Sequence, residues 1–209
     1  VYQNRITEAW EHFRSDELIE KYDQLIFHLP YAYHGRRIIT PLLQQELETE
    51  GTFDAICAEN DIDPNDEQVS RLFSKTPYYK NWVKATIAEG DKLSSDMGNL
   101  YTASIFLSLV SYCLSDTVQT DKELLFFAYG SGSKAKVFTG KVQPQYKEKS
   151  SCWDIARHLE GRVKITFDEY IALRKKELKA PLANSNTIAQ ESSGISATNK
   201  FERTYTLKK

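Results

Sequence analysis

The sequence predicts a single α/β domain, a size that suits a chain of 209 residues. Three observations support this fold class. Several segments repeat apolar residues at the three-to-four-residue spacing of an amphipathic helix. A short apolar run, residues 25–27, is soon followed by Pro30, as expected of a buried strand. Two further runs, 123–129 and 134–142, flank a glycine-containing turn and are typical of antiparallel core strands.

The opening segment is predicted to form two short helices before the first strand. Ile6, Trp10 and Phe13 recur at helical spacing, and Ser15 is placed to cap a second, shorter helix. The strand that follows is expected to end at His28.

The same periodicity predicts the later helices, and composition predicts the connections between them. Residues 61–67 form an acidic linker, 184–199 are polar enough to predict a mobile loop, and 201–207 alternate like a last edge strand. Further helices are expected over residues 35–50, 69–73, 82–87, 99–114, 154–159 and 167–178.

Composition and charge exclude several classes of protein. Hydrophobic residues at 41% and aromatic residues at 12% exceed what a disordered chain carries. A net charge of -2 provides no positive field to attract nucleic acid or anionic lipid. No apolar run approaches the roughly 20 residues that span a bilayer, and the amino end lacks the pattern of a secretory signal. We therefore expect a cytoplasmic protein that binds neither nucleic acid nor membranes.

The three cysteines give no sign of catalysis or metal binding. Cys57, Cys113 and Cys152 lack the CxxC spacing of zinc sites and redox motifs, and no basic residue or helix amino terminus is predicted beside them. We expect reduced thiols, no nucleophile and no metal site.

His28 is the strongest candidate for chemistry among the four histidines. It combines a strand end with a following proline, and the ends of strands carry reacting groups in many α/β folds. A structural, hydrogen-bonded histidine is the alternative. His12, His34 and His158 fall on predicted helices and are expected to be solvated.

Three weaker candidates each have a structural alternative. Gly130-Ser131-Gly132 can present backbone N–H groups to an anion, or can simply be a turn. Asn99 opens the predicted central helix and is equally suited to cap it. Arg36 and Arg37 can grip a phosphate, or can form a solvated helix face.

Together these segments resemble the hydroxymethylglutaryl-CoA synthase family. Phe27-His28-Leu29-Pro30-Tyr31 is similar to its catalytic Phe-His-x-Pro-Phe/Tyr motif, and residues 98–104 are similar to its Gly-Asn-x-Tyr-Thr-x-Ser helix start. Residues 129–132 are similar to its Tyr-Gly-Ser-Gly turn, and Arg203-Thr204-Tyr205 to its closing strand. The resemblance covers nearly all of residues 1–209.

The resemblance implies the carboxyl-terminal half of a thiolase-like fold, with a mixed sheet packed by helices. The absent amino-terminal half would carry the acylated cysteine and the glutamate base, so this chain is expected to be inactive alone. The whole enzyme would condense acetyl-CoA with acetoacetyl-CoA to 3-hydroxy-3-methylglutaryl-CoA in the mevalonate pathway of isoprenoid biosynthesis. It would use coenzyme A thioesters as substrates, need no cofactor and form a homodimer.

The resemblance also assigns roles to the candidate residues. His28 would bind the acetoacetyl carbonyl and protonate the alkoxide, and Asn99 would hold the same substrate. The remaining substrate and carrier contacts would be Tyr101, Gly130, Ser131, Gly132, Arg36 and Arg37.

Tyr33 stands where the family usually has a lysine that meets the phosphates of coenzyme A. This departure leaves open a synthase that takes acetoacetyl groups from an acyl carrier protein, as in polyketide β-branching. A noncatalytic thiolase-like association module is a further alternative, as is a separate polypeptide that supplies the other half.

Overall fold

A computed structural model describes residues 1–130 and 132–179 of the chain. Ser131, the predicted loop over 184–199 and the predicted strand over 201–207 lie outside the described residues. The chain divides into two compact units, Val1–Ser151 and Cys152–Lys209. All described candidate site residues belong to the first unit. In the ranges that the structure describes, no helix is long and apolar enough to cross a membrane.

In the described chain a run of helices separates the first strand from the second, and the second and third strands follow each other directly. Two 3₁₀ turns lie at Ile19–Lys21 and Tyr101–Ala103. The elements are α1 (Tyr2–Phe13), β1 (Gln24–Phe27), α2 (His34–Thr49), α3 (Phe53–Glu59), α4 (Val69–Phe73), α5 (Pro77–Thr86), α6 (Ala88–Met97), α7 (Ser104–Cys113), β2 (Glu123–Gly130), β3 (Lys134–Lys141), α8 (Tyr146–Ser150), α9 (Ile155–Glu160) and α10 (Phe167–Arg174).

The sheet is mixed, as the family resemblance implies. The strand order is β1-β2-β3, with β1 parallel to β2 and β2 antiparallel to β3. Phe27 pairs with Phe127, so β1 and β2 end at the same edge of the sheet. His28 comes directly after Phe27, and Tyr129 comes two residues after Phe127. The two residues therefore lie at one edge of the sheet although they are far apart in sequence.

Apolar side chains cover both faces of β1, whereas β3, which was predicted to be a core strand, has no buried residue because it lies at the edge of the described sheet. Leu25 and Phe27 of β1 join the larger core beneath α1 and α2, whereas Ile26 joins a second core beneath α7. Because successive side chains of a strand point to opposite faces, a continuous apolar run is the pattern that a strand buried on both faces requires.

Several predicted helix boundaries were wrong, and the helix over residues 88–97 was not predicted. The expected second helix is only the 3₁₀ turn Ile19–Lys21, and Ser15 has a left-handed backbone with φ 50° rather than a capping conformation. The central helix begins at Ser104, five residues after Asn99. Residues 88–97 form a helix that periodicity missed, because Gly90, Asp91 and Ser94 are its buried positions. The last described helix ends at Arg174, before Leu178.

Gly35 allows α2 to pack directly against β1. A Cβ atom at this position would lie 2.7 Å from the ring of Phe27, and that ring is stacked on Phe127 with centroids 4.9 Å apart. We expect Gly35→Ala to lower the free energy of unfolding by about 2 kcal/mol, because the buried ring has little room to move. Urea denaturation would measure the change.

Gly90→Ala provides the matched control for this prediction. Gly90 is also a buried helical glycine, but its nearest neighbour would be 3.4 Å from the new Cβ atom. Alanine is favoured over glycine in a helix, so this variant should be as stable as the original chain or more so. Equal effects of the two substitutions would contradict the close approach at Gly35.

Candidate functional site

The backbone around His28 is fixed by three different elements. Its N–H donates to the carbonyl of Phe127 on β2 at 3.0 Å. The preceding carbonyl, that of Phe27, accepts from the Ser108 hydroxyl of α7 at 3.0 Å. The His28 carbonyl accepts from the Tyr2 hydroxyl of α1 at 2.7 Å. The histidine is therefore held in a defined position at the strand end.

The His28 ring is buried, with 7% of the residue exposed. Its Nδ1 is enclosed and has no hydrogen-bond partner among the described residues. Burial lowers the pKa of His28 below its ordinary value, because an imidazolium loses hydration there. Burial therefore favours the neutral form of the ring.

A cluster of aromatic rings surrounds His28, and we call Tyr2, His28, Tyr31, His34 and Tyr129 the aromatic cluster. Tyr2 contacts His28 edge-on at 6.1 Å, and the Tyr129 ring lies 4.1 Å from Tyr2 and 6.2 Å from His28, between centroids. The cluster shields the imidazole from water on the side of α1.

His34 was wrongly predicted to be solvated. Both of its ring nitrogens are buried, and neither has a hydrogen-bond partner in the described part of the chain. Its ring stacks on Tyr2 at 4.8 Å and lies 4.5 Å from the ring of Tyr31. Burial lowers the pKa of His34, and repulsion from the Arg37 guanidinium and from His28 in its protonated form lowers it further. Helical spacing does not predict the burial of His34, because that burial arises from contact with Tyr2 of α1.

The glycine turn follows β2 at the same edge as His28. An added Cβ atom at Gly130 would meet no atom within 4 Å, so open space adjoins this backbone. Gly132 has φ +80°, a conformation that favours glycine. Ser131, between them, is outside the described residues.

Asn99 is exposed and does not cap α7. Its Oδ1 accepts from the backbone N–H of Tyr101 at 2.7 Å and from the Ser104 hydroxyl at 3.4 Å, so it closes an Asx turn just before the 3₁₀ turn. Tyr101 has φ 51° and is 77% exposed. The prediction of a cap was therefore wrong in position, although the amide does stabilise local structure.

The two predicted carrier contacts have different surroundings. The Arg36 guanidinium pairs with the buried Asp91 at 2.9 Å and lies 4.6 Å from the ring centre of Tyr33. Burial raises the pKa of Asp91 to about 6 despite the opposing effect of Arg36. Arg37 is exposed and donates to the Tyr31 hydroxyl at 3.0 Å. Arg37 is thus the arginine with the more accessible charge at this edge.

Two of the cysteines are unsuited to nucleophilic chemistry, as predicted. Cys57 is buried and Cys113 is half-buried, and desolvation raises the pKa of both thiols. Within residues 1–130 and 132–179, no group of three or more His, Cys, Asp or Glu side chains is placed to hold a metal ion.

A groove of about 740 Å³ lies in the first unit, between the end of α1 and the strands. Arg14, Glu17, Lys21, Glu123 and Lys141 line it, so its walls carry both positive and negative charges. It contains no predicted site residue, and the chemistry at the edge of β1 and β2 identifies the candidate site better than the size of this groove does.

Comparisons with known proteins identify relatives along the whole chain. Residues 1–209 match the family model described as "Hydroxymethylglutaryl-coenzyme A synthase C terminal". The hydroxymethylglutaryl-CoA synthase of Enterococcus faecalis is 24% identical over 209 residues, covering 98% of this chain and 46% of that protein. The synthase of Saccharomyces cerevisiae is 27% identical, covering 92% and 42%. The chain thus spans less than half the length of these relatives.

Solved structures show the same fold. MvaS in complex with 3-hydroxy-3-methylglutaryl coenzyme A superimposes with a TM-score of 0.69 at 23% identity, covering 87% of this chain and 44% of that one. The synthase of the curacin biosynthetic pathway gives 0.60 at 20% identity, covering 82% and 38%. This likeness confirms a thiolase-like half. The chain belongs to the family of hydroxymethylglutaryl-coenzyme A synthase carboxyl-terminal domains.

Proposed function

We propose that this chain is the substrate-binding half of a synthase that condenses acetyl-CoA with acetoacetyl-CoA to 3-hydroxy-3-methylglutaryl-CoA. The observation that carries the proposal is His28, buried and fixed at the edge where β1 and β2 both end. Its surroundings suit an imidazole that meets a substrate oxygen away from bulk water. The whole enzyme would be a cytoplasmic homodimer of the mevalonate pathway.

In this proposal, Nε2 of His28 donates to the ketone oxygen of the acetoacetyl group. The ring takes up one proton from water to become an imidazolium, passes one proton through Nε2 to the alkoxide, and returns to its neutral form. Burial disfavours the imidazolium in the free protein. The negative charge that develops on the substrate oxygen opposes this effect and raises the pKa of His28 when a proton must be delivered.

The other predicted residues complete the substrate contacts. Asn99 and Tyr101 stand at the exposed start of the turn before α7 and would hold the thioester. The backbone around Gly130, Ser131 and Gly132 would stabilise the anion. Arg36 and Arg37 are the proposed carrier contacts, and Arg37 has the more accessible charge.

A second half would supply the cysteine nucleophile and the glutamate base, which makes this chain inactive alone. The length of the curated relatives supports this part of the proposal. So does a group of exposed apolar side chains at the end of α6 and the start of α7, which is typical of a covered surface. They are Met97, Leu100, Tyr101 and Phe106.

A synthase that uses acyl-carrier-protein substrates is the second candidate. Tyr33 replaces the lysine expected for coenzyme A, and Asp91 engages Arg36. A polyketide biosynthesis 3-hydroxy-3-methylglutaryl-ACP synthase from Bacillus subtilis is 33% identical over 79 residues, covering 38% of this chain and 19% of that protein.

The test is an assay of thiol release from acetyl-CoA that depends on the acetoacetyl thioester. The chain would be assayed alone and joined to the amino-terminal half of the fold, with acetoacetyl-CoA or acetoacetyl carrier protein. Activity of the joined protein with acetoacetyl-CoA supports the first proposal. A strict requirement for the carrier protein supports the second. Inactivity with both substrates would leave a noncatalytic association module.

A further inference from the structure

We propose that Tyr2 is a positioning residue for His28, and that His34 holds Tyr2 in place. This inference rests on the proposed function, since it concerns the same imidazole. Tyr2 is the first residue of α1. Neither its position in the helical pattern nor its residue type predicts that it belongs to a functional site.

The contact between Tyr2 and His28 has two parts. The phenol donates to the His28 carbonyl at 2.7 Å, across 26 residues of sequence, and the ring packs edge-on against the imidazole. Burial raises the pKa of Tyr2, so the hydroxyl keeps its proton and remains a donor throughout the neutral range. One side chain therefore fixes both the peptide oxygen and one side of the imidazole ring.

The His34 ring stacks on the Tyr2 ring. The two rings are nearly parallel, at 15°, with centroids 4.8 Å apart. Neither ring nitrogen of His34 has a hydrogen-bond partner among the described residues, so its contact with Tyr2 is made by the face of the ring. The flat ring of His34 limits the ways in which Tyr2 can turn away from His28.

Tyr2→Phe isolates the hydrogen bond because it preserves the ring. We expect kcat of the joined, two-half protein to fall about tenfold while KM changes less than about twofold, since misplacing a reacting group affects the chemical step more than binding. Tyr146→Phe is the matched control, because the Tyr146 hydroxyl donates to the carbonyl of Val118 at 3.1 Å, away from His28. Its kinetics should be unchanged. Equal kinetics for both variants would overturn the proposal.

The stacking role of His34 is tested by comparing a substitution that removes the ring with one that keeps a flat ring. His34→Ala removes the stacked ring, whereas His34→Phe keeps a flat ring without nitrogens. We expect His34→Ala to lower kcat as Tyr2→Phe does, and His34→Phe to restore most of the loss. Failure of His34→Phe to restore kcat would overturn the role of His34 as a stacking support.

An NMR titration of the 209-residue chain tests positioning without any activity. The His28 ring signals, assigned with His28→Ala, should shift in Tyr2→Phe and keep their positions in Tyr146→Phe. In Tyr2→Ala, water reaches the ring and the pKa of His28 should rise. Unchanged signals in both Tyr2 variants would overturn the inference. If the His28 signals shift in the Tyr2 variants but the joined protein has no synthase activity, Tyr2 positions His28 and the proposed reaction is wrong.

Discussion

Replacing His28 by alanine is expected to lower kcat of the joined two-half protein by about 10²–10⁴-fold, the usual contribution of a general acid. The imidazole is fixed at the edge of the sheet by three hydrogen bonds to its backbone or to the peptide before it. With alanine, water would have to supply the proton for the alkoxide. Steady-state kinetics with the acetoacetyl thioester as the varied substrate would measure the loss.

His12→Ala is the control for this experiment. His12 is an exposed histidine on α1 and lies beside Ala9 and Phe138 in a surface groove, outside the aromatic cluster. Its removal should leave kcat unchanged. If His28→Ala retained more than about a tenth of the original kcat, His28 would be a structural histidine rather than an acid.

Glu46→Ala is expected to lower the free energy of unfolding by about 4 kcal/mol. The Glu46 carboxylate is buried and accepts from Nε1 of Trp10 at 3.0 Å and from the backbone N–H of Ile19 at 2.8 Å. Alanine leaves both donors enclosed without an acceptor, and each such group costs about 1–3 kcal/mol. Chemical denaturation at pH 7 would show the change.

Glu46→Gln separates the hydrogen bonds from the charge. An amide oxygen can still accept one of the two bonds, so we expect a smaller loss than with alanine. Glu48→Ala is the matched control, because Glu48 is an exposed glutamate of the same helix that accepts only from the Gln44 amide, at 2.7 Å, among the described side-chain contacts. This variant should change stability by less than about 0.5 kcal/mol. Equal losses for Glu46→Ala and Glu48→Ala would contradict a buried, bridging role for Glu46.

The charge of Glu46 also predicts a pH dependence. Burial raises the pKa of Glu46 above its ordinary value of 4.5, so the folded chain binds this proton more tightly than the unfolded chain does. The stabilising effect is complete below pH 4.5 and is lost as the pH rises through the raised pKa. The stability of the original chain relative to Glu46→Gln should therefore decrease across this interval, and an increase would contradict the shift.

The elements that were predicted correctly are those with a strong local pattern. The apolar run before His28 and the paired runs around Gly132 identify β1, β2 and β3, because a buried strand requires continuous or alternating apolar residues. Helix α6 was missed because its buried positions are Gly90, Asp91 and Ser94, which carry no hydrophobic signal. Arg36, 55 residues away in sequence, pairs with Asp91 and offsets part of the cost of burying its carboxylate.

The candidate site was only partly predictable from the sequence, because some of its residues meet only through contacts between distant segments. The motif around His28 marked the imidazole, whereas Tyr2 and His34 join it only through the packing of α1 against the strand ends. No residue near Tyr2 in sequence indicates that its hydroxyl meets a carbonyl 26 residues later. Contacts between distant segments of this kind have no local signature.

The parallel pairing of β1 with β2 also sets the order of events during synthesis. Asp23, just before β1, binds the backbone of Glu123 at the start of β2, 100 residues later. At about 5–20 residues per second, β1 is translated about 5–20 s before β2. During this interval its apolar run lacks the strand it pairs with, and pairing across so long a loop is slow. The apolar segment that places His28 is thus exposed in the nascent chain until its partner strand has been made.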